Sequence, residues 1–372
     1  MLFNIMNKLE TNQNNYCIIL AGGKGRRLWP CSRAEMPKQF LDFFGNGRTQ
    51  LQQTYDRFAR LMPRQNILIS TVKEYIHIIR EQLPDVPEGN FMIEPVNRNT
   101  GPSVSWAGMK ICRRNSKARV IVTPSDQHVT NEARFADDVL RALDYVGERE
   151  VLLAMGVTPT RPEPGYGYIQ MGEEAKMESV YKVQSFVEKP DREFAQMFVD
   201  NGEFLWNTGL FLADAKYLVK RINALFDAEL KGTGVIDALN MAQGAEQTFI
   251  DDKYSMYPNI SIDNGVLERT EDVEVMKCNF GWADLGTWHS IYECKKRSDT
   301  DNVLIDTDAV MRESKGCVVK MPHGRLAIIH GLDDYIVAEH DNVLLICPKE
   351  DSSAMIKKYL NDIQMKKGEE YI

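Results

Sequence analysis

The chain has 372 residues, 43% of them hydrophobic and 26% charged, and a formal net charge of −8. That size and mix suit a globular protein with a substantial core and room for two domains. The acidic balance argues against a general nucleic-acid binder, and no run reaches the ~18 apolar residues of a membrane span.

After an N-terminal extension over residues 1–15, which carries no signal-peptide pattern, β-rich runs alternate with helical patterns. The runs are "YCIILA", "NILIST", "NFMIE", "RVIVT" and "EVLLAM", and between them lie amphipathic stretches such as "TQLQQTYDRFARLM" and "EARFADDVLRALDYV". The alternation predicts an α/β, Rossmann-like mixed and mostly parallel sheet flanked by helices. Thr49 suits the N-cap of the first helix. Beyond Pro159, "GYGYIQMG" and "VYKVQSFVEKP" read as longer strands, an antiparallel excursion. "FLWNTGLFLADA" reads as a strand, a turn and a second strand, and a helical pattern follows over 216–243. Short β runs at close spacing occupy the last part, "NVLID", "CVVKM", "RLAIIH", "YIVAE" and "NVLLIC", before a helix near "SSAMIKKYLNDIQ". The polar "KKRSDTDN" marks a boundary. It separates a domain over 16–298 from a small C-terminal all-β domain over 299–372.

The seven cysteines are scattered without a C-x-x-C pair, so neither a zinc site nor a disulfide framework is signalled. They read as reduced thiols of a cytoplasmic protein. The six histidines show no metal-ligand spacing and are expected in structural or surface roles.

"ILAGGKGRRLWPCSRAEMPKQF", residues 19–40, sets glycines and cations behind the first strand. Residues 24–48 hold six Lys/Arg against two acids. Gly22, Gly23 and Gly25 permit a tight turn in which backbone N–H groups approach a ligand, and successive N–H groups form an anion-binding concavity. Arg26 and Lys38 offer charge-assisted contacts to phosphate oxygens. A polyphosphate is the ligand this suggests. G-x-G-x-x-G lacks its third glycine here, and G-x-x-x-x-G-K-[ST] is absent. A glycine turn on a solvated basic surface stays open as the plain alternative.

The longer pattern "LAGGKGRRLWPCSRAEMPKQFL" resembles the signature of the sugar-phosphate nucleotidyltransferases, L-A-G-G-x-G-x-R-L-x-P-x-S-R-x-x-P-K. Within that family "PKQFL" is similar to the mannose-1-phosphate guanylyltransferase branch. "EPVNRNTGPSVSWA", from Glu94, resembles the branch's E-P-x-x-R-N-T-A-P, with Gly101 in place of alanine. Its plain reading is a cap: Thr100 precedes a helical run and Pro102 suits the first turn. "VIVTPSDQHV" resembles P-S/A-D-H-x-I, with Gln127 where histidine is usual. "NFGWADLGTWHSIYE" resembles G-W-S/A-D-V/L-G-S/T-W. "GYGYIQMG", "FVEKPD" and "FLWNTGLFLADA" follow in the family order, as does "RLAIIHGLDDYIVAEHDNVLLIC". The resemblance spans about residues 16–350. Core packing is the plain expectation for Trp282 and Trp288.

The resemblance implies a nucleotidyltransferase fold with a β-helix-like C-terminal domain. It also implies transfer of GMP from GTP to mannose 1-phosphate. Asp126 and Asp284 are then Mg2+ ligands, 158 residues apart in the chain. Arg27, Lys38 and Lys189 are catalytic cations. Leu20, Ala21, Gly22, Gly23, Gly25, Arg26, Glu94, Asn97, Arg98, Asn99, Thr100 and Ser125 bind the nucleotide. Gly167, Glu188 and Asn207 bind the sugar phosphate. No nucleic-acid or membrane partner is expected, and an assembly of two or more copies is. Another sugar 1-phosphate or nucleotide, a non-catalytic nucleotide-sugar sensor and an NAD-dependent oxidoreductase are the alternatives.

Overall fold

The computed structural model describes residues 12–147, 149–230, 245–296 and 301–372. Most of the predicted N-terminal extension, the end of the predicted 216–243 helix and part of the polar boundary lie outside the described residues. The chain divides into two compact units: Met1–Gly22, Tyr55–Pro124 and Val129–Trp282 form the first; Gly23–Thr54, Ser125–His128 and Ala283–Ile372 form the second.

The first unit is built on strands β1 (Asn15–Leu20), β2 (Ile67–Val72), β3 (Phe91–Glu94), β4 (Arg119–Pro124), β6 (Leu152–Val157), β7 (Gly167–Glu174), β8 (Val180–Glu188), β9 (Phe204–Asp214) and β10 (Val273–Cys278). A further short strand, β5 (Gln127–Val129), follows β4, and β11 (Trp282–Asp284) follows β10. The nine strands form one sheet in the order β3-β2-β1-β4-β9-β6-β10-β8-β7, with β7 also pairing β9. Tracing the pairings gives seven strands in one direction, with β8 and β9 reversed. β2 and β6 are buried along their whole length and β1 over all but Leu20, as strands covered on both faces must be. The crossover segments supply helices α1 (Gln50–Ala59), α2 (Ile76–Gln82), α3 (Thr100–Arg114), α4 (Glu132–Val146), α5 (Arg192–Asn201), α6 (Ala215–Leu230), α7 (Ala245–Lys253) and α8 (Ile262–Gly265). Trp106 and Ile111 of α3 and Leu218 and Ile222 of α6 pack with Ile18, Leu68 and Val120 of the sheet. Leu20 and Pro124 are register partners at the carboxyl ends of β1 and β4. The glycine loop and Asp126 therefore both follow from that edge, where open α/β sheets bind ligands.

Three expectations need correction here. "FLWNTGLFLADA" is one strand, β9, and not a strand–turn–strand. Its register against β6 slips between Ala154 and Gly156, where Gly209 takes φ 72° and its N–H donates to Asn207 Oδ1 at 3.0 Å. The turn signal is a bulge. The helix after Glu94 is capped by Asn99, whose side chain accepts from the Thr100 N–H. Thr100 is the first helical residue, and its hydroxyl accepts from the Ile262 N–H at 2.8 Å. Trp282 is half-buried rather than core, edge-on to Tyr166 at 5.1 Å.

In the second unit, Thr49 caps α1 as expected. Its Oγ1 accepts from the Gln52 N–H, and the Gln52 side chain accepts from the Thr49 N–H, a reciprocal capping box. Strands β12 (Val303–Leu304), β14 (Val318–Lys320) and β16 (Tyr335–His340) pair in parallel, and β17 (Val343–Pro348) returns antiparallel to β16. β13 (Asp308–Arg312), a strand without a counterpart among the predicted runs, pairs in parallel with β15 (Leu326–His330). Helices α9 (Trp288–Lys295) and α10 (Ser352–Lys367) complete the unit. Its core joins Leu28 and Trp29 to Trp288, Val318, Ile336, Leu345, Ile356 and Leu360. Trp288 is fully buried, as predicted. Among the described residues no helix is long and apolar enough to cross a membrane, and all seven cysteines are thiols.

Candidate active site

The signature loop folds around a buried lysine in the second unit. Gly25 has φ 59°, and a Cβ there would lie 2.8 Å from Ser32 Oγ and 2.9 Å from Lys38 Cγ. Only glycine fits. Pro37 opens a single turn over Lys38–Phe40. The Lys38 N–H donates to Ser32 Oγ at 2.9 Å, and the Gln39 side-chain amide donates to the Gly23 carbonyl at 2.7 Å. Lys38 is left only 6% exposed.

Two carboxylates meet that ammonium. Lys38 Nζ lies 2.6 Å from Asp126 Oδ2 and 3.7 Å from Asp284 Oδ1. Arg27 reaches Asp284 at 4.0 Å. Gly286 makes the approach possible, since a Cβ there would stand 2.7 Å from Asp284 Oδ2 and 2.9 Å from Arg27. Burial pushes the Lys38 ammonium toward deprotonation, but Asp126 and Asp284 outweigh it and hold the group above its usual range. Asp126 is no helix cap: α4 is capped by Asn131. Ser125 is buried, and its carbonyl accepts from Thr54 Oγ1 at 3.1 Å. Arg26 is exposed on the turn Arg26–Leu28.

The other predicted residues lie in the first unit. Ala21 is held at both ends: its N–H donates to the Ser70 carbonyl at 2.8 Å and its carbonyl accepts from Thr71 Oγ1 at 3.2 Å. The Gly22 carbonyl accepts from the Asn97 side chain at 3.3 Å, which ties the end of the glycine turn to the Glu94–Thr100 segment. Asn97 Oδ1 also accepts from the Asn99 N–H, and Arg98 donates to the Ser255 carbonyl. Glu94 is buried beneath two hydroxyls, accepting from Ser70 at 2.7 Å and Ser103 at 2.5 Å. Burial pushes its carboxyl up, and those hydroxyls pull it partly back.

Gly167 and Glu188 are cross-strand partners in β7 and β8. A Cβ on Gly167 would lie 2.8 Å from Glu188 Oε2 and 3.4 Å from Asn207 Cβ, so the glycine brings these predicted sugar-site residues together. Lys189 takes φ 48° and pairs with Glu188. The β9 bulge aims Asn207, whose amide donates to Asp263 Oδ1 at 3.1 Å. Asp263 is a residue the sequence reading missed. Its only local signal is the cap "SID", in which Ser261 opens the short helix α8. Burial pushes its carboxyl up, with the Asn207 donor opposing.

Comparison with known proteins places the chain in a family. The family model described as "Nucleotidyl transferase" matches residues 16–300. A mannose-1-phosphate guanylyltransferase of Salmonella montevideo is 32% identical over 368 residues, covering 95% of this chain and 75% of that protein. The alginate biosynthesis protein AlgA of Pseudomonas aeruginosa (strain PAO1) is 34% identical over 337 residues, 90% of this chain and 69% of that protein. A crystal structure described as mannose-1-phosphate geranyltransferase from Thermus thermophilus is 28% identical, with TM-score 0.80, covering 95% of this chain and all of that one. The chain belongs to the nucleotidyl transferase family.

Proteins of this family generally use a divalent metal ion. The donor chemistry fits one. Asp126 and Asp284 converge on a single cation, Lys38. Among the described residues no third His, Cys, Asp or Glu joins them. One or two carboxylates completed by substrate phosphates and water is a donor set that a hard divalent cation accepts.

Proposed function

We propose that this protein transfers GMP from GTP to α-D-mannose 1-phosphate, giving GDP-mannose and pyrophosphate. The observation that carries this reading is Lys38, buried on the signature loop and held by Asp126 and Asp284. The likeness to mannose-1-phosphate guanylyltransferases over nearly the whole chain supports the substrates.

The sugar phosphate is an anion near neutral pH, so no general base is required. Its oxygen attacks the α-phosphorus of GTP in line. The bond to the bridging oxygen breaks on the opposite side, and its electron pair leaves with pyrophosphate. Catalysis is then alignment and charge neutralisation. Arg27 and Lys38 stabilise the triphosphate and the leaving group. Lys189 positions the nucleophile and offsets repulsion between the two anions. Leu20, Ala21, Gly22, Gly23, Gly25, Arg26 and Ser125 receive the nucleotide, and Glu94 with Asn97–Thr100 serves its base. Gly167, Glu188 and Asn207 hold the hexose, with Asp263 bracing Asn207. Asp126 and Asp284 would hold Mg2+, which when bound neutralises phosphate charge.

The catalytic role falls to residues 16–298. Residues 299–372 supply a β-helix-like C-terminal domain and, with a second copy of the chain, subunit contacts in a cytoplasmic enzyme. The reading is tested by pyrophosphate release with Mg2+ across four nucleoside triphosphates and several sugar 1-phosphates. Release confined to GTP with mannose 1-phosphate is expected. Strong release with another pair overturns the substrate assignment.

A further inference from the structure

Trp29 and Arg33 lie within the signature segment, and their side-chain donors serve backbone and side-chain oxygens outside the carboxylate cluster. Trp29 is 4% exposed, and its indole N–H donates to the Tyr371 carbonyl at 2.7 Å. The Arg33 side chain is 13% exposed. Its Nε donates to the Pro30 carbonyl at 3.4 Å and one terminal nitrogen donates to the Glu370 carbonyl at 3.4 Å. The other terminal nitrogen donates to the His340 carbonyl at 3.0 Å and to Asn342 Oδ1 at 3.1 Å. Four of the five guanidinium N–H groups are thus accounted for by oxygens of this chain. Asp341 stands 4.0 Å away. Residues 369–372 close their own turn, Ile372 N–H to the Glu369 carbonyl at 3.1 Å, and Ile372 packs on the core that holds Leu28 and Trp29.

These contacts reach the buried lysine by a short path. Arg33 follows Ser32 directly, and Ser32 Oγ accepts the Lys38 N–H. Trp29 stands two residues after Arg27. A loop of this length, held only by its own turns, samples several arrangements. Ties at Trp29 and Arg33 restrict the segment that carries two of the three proposed catalytic cations, Arg27 and Lys38.

We propose that Trp29 and Arg33 are positioning residues. They bind the signature loop to the β16–β17 turn and to residues 369–372, and so hold Lys38 and Arg27 in line for transfer. This rests on the nucleotidyl transfer proposed above. The strap acts through Lys38 and touches no substrate. Misplacement by about 1 Å is enough to lower a rate by about a hundredfold, so a strap that sets loop geometry appears in kcat more than in KM.

Three variants test this. Trp29→Phe keeps the ring and deletes the donor. Arg33→Lys keeps the charge and loses the fork that serves several acceptors. The third deletes residues 369–372. For each, kcat and KM for GTP and mannose 1-phosphate are measured, with amide hydrogen exchange of residues 23–40 and thermal unfolding alongside. The expected result is a kcat lowered about tenfold or more, KM values within about twofold, and faster exchange in 23–40. Trp29→Phe and the deletion break the same bond, so their combination loses less than the product of the separate losses. Unchanged exchange and unchanged kcat overturn the proposal. So do losses that multiply fully, or that merely follow the unfolded fraction. The exchange readout does not depend on turnover. A wild-type chain without transferase activity whose loop still loosens in Trp29→Phe defeats the function and leaves the strap standing. If the deletion fails to fold, the two substitutions decide the matter.

Discussion

Lys38 is subject to two opposing forces. Burial disfavours its charge, while the carboxylates 2.6 and 3.7 Å away favour it, and the carboxylates win. A buried cation without partners would be neutral, so the ammonium exists because Asp126 and Asp284 do. Replacing Lys38 by alanine should lower kcat/KM by at least ~2.7 kcal/mol, the low end for loss of one electrostatic donor. A steady-state loss under about tenfold contradicts the role given to it. The raised pKa also fixes a pH dependence. The charged form, with any stability it confers, is complete below the ordinary value of 10.5 and is lost only as pH rises through the higher folded-state value. The kcat/KM profile should therefore show no alkaline limb from Lys38 between about pH 7 and about pH 9. A limb in that interval that Lys38→Arg removes is the contrary result.

At the scale of elements, the residues proposed to hold the hexose depend on how two strands and a bulge meet. Gly167 pairs with Glu188, and any Cβ there would press within 2.8 Å of Glu188 Oε2. Gly167→Ala should raise KM for mannose 1-phosphate about fivefold or more, on the scale of an overpacking cost of about 1–3 kcal/mol. KM for GTP should stay within about twofold. An equal rise in both, measured with each substrate varied in turn, contradicts the assignment. The strands and helices that build this edge were legible, because apolar runs bounded by turn residues and amphipathic stretches are local properties. The bulge was not. Asn207-Thr208-Gly209 carries the residues of a turn, and only pairing with β6 shows that the chain continues straight on. The α3 cap slipped by one residue because Asn and Thr are both good caps, and sequence alone does not rank neighbours. Asp263 stayed hidden because its partner Asn207 is 56 residues away. The Glu94 anchor, made with Ser70 and Ser103, was invisible for the same reason. The roles of Trp29 and Arg33 depend on acceptors more than 300 residues along the chain.

The whole molecule carries a net charge of −8, yet it is proposed to bind two anionic substrates. The answer is local. Cations are gathered on one loop and at Lys189, and the loop's buried lysine is balanced by two acids. The two compact units each have their own apolar core. The resemblance of short motifs named candidate residues, among them Lys38, Asp126 and Asp284. It did not foretell that Lys38 itself bridges the two aspartates. The most direct test of the account is GDP-mannose formation from GTP and mannose 1-phosphate in Mg2+, resolved by anion-exchange chromatography, for the wild-type chain beside Asp126→Asn. Product is expected from the wild type, none with a chelator present, and none from Asp126→Asn at any Mg2+ concentration. Product from Asp126→Asn at the wild-type rate, or none from a folded wild-type chain, contradicts it.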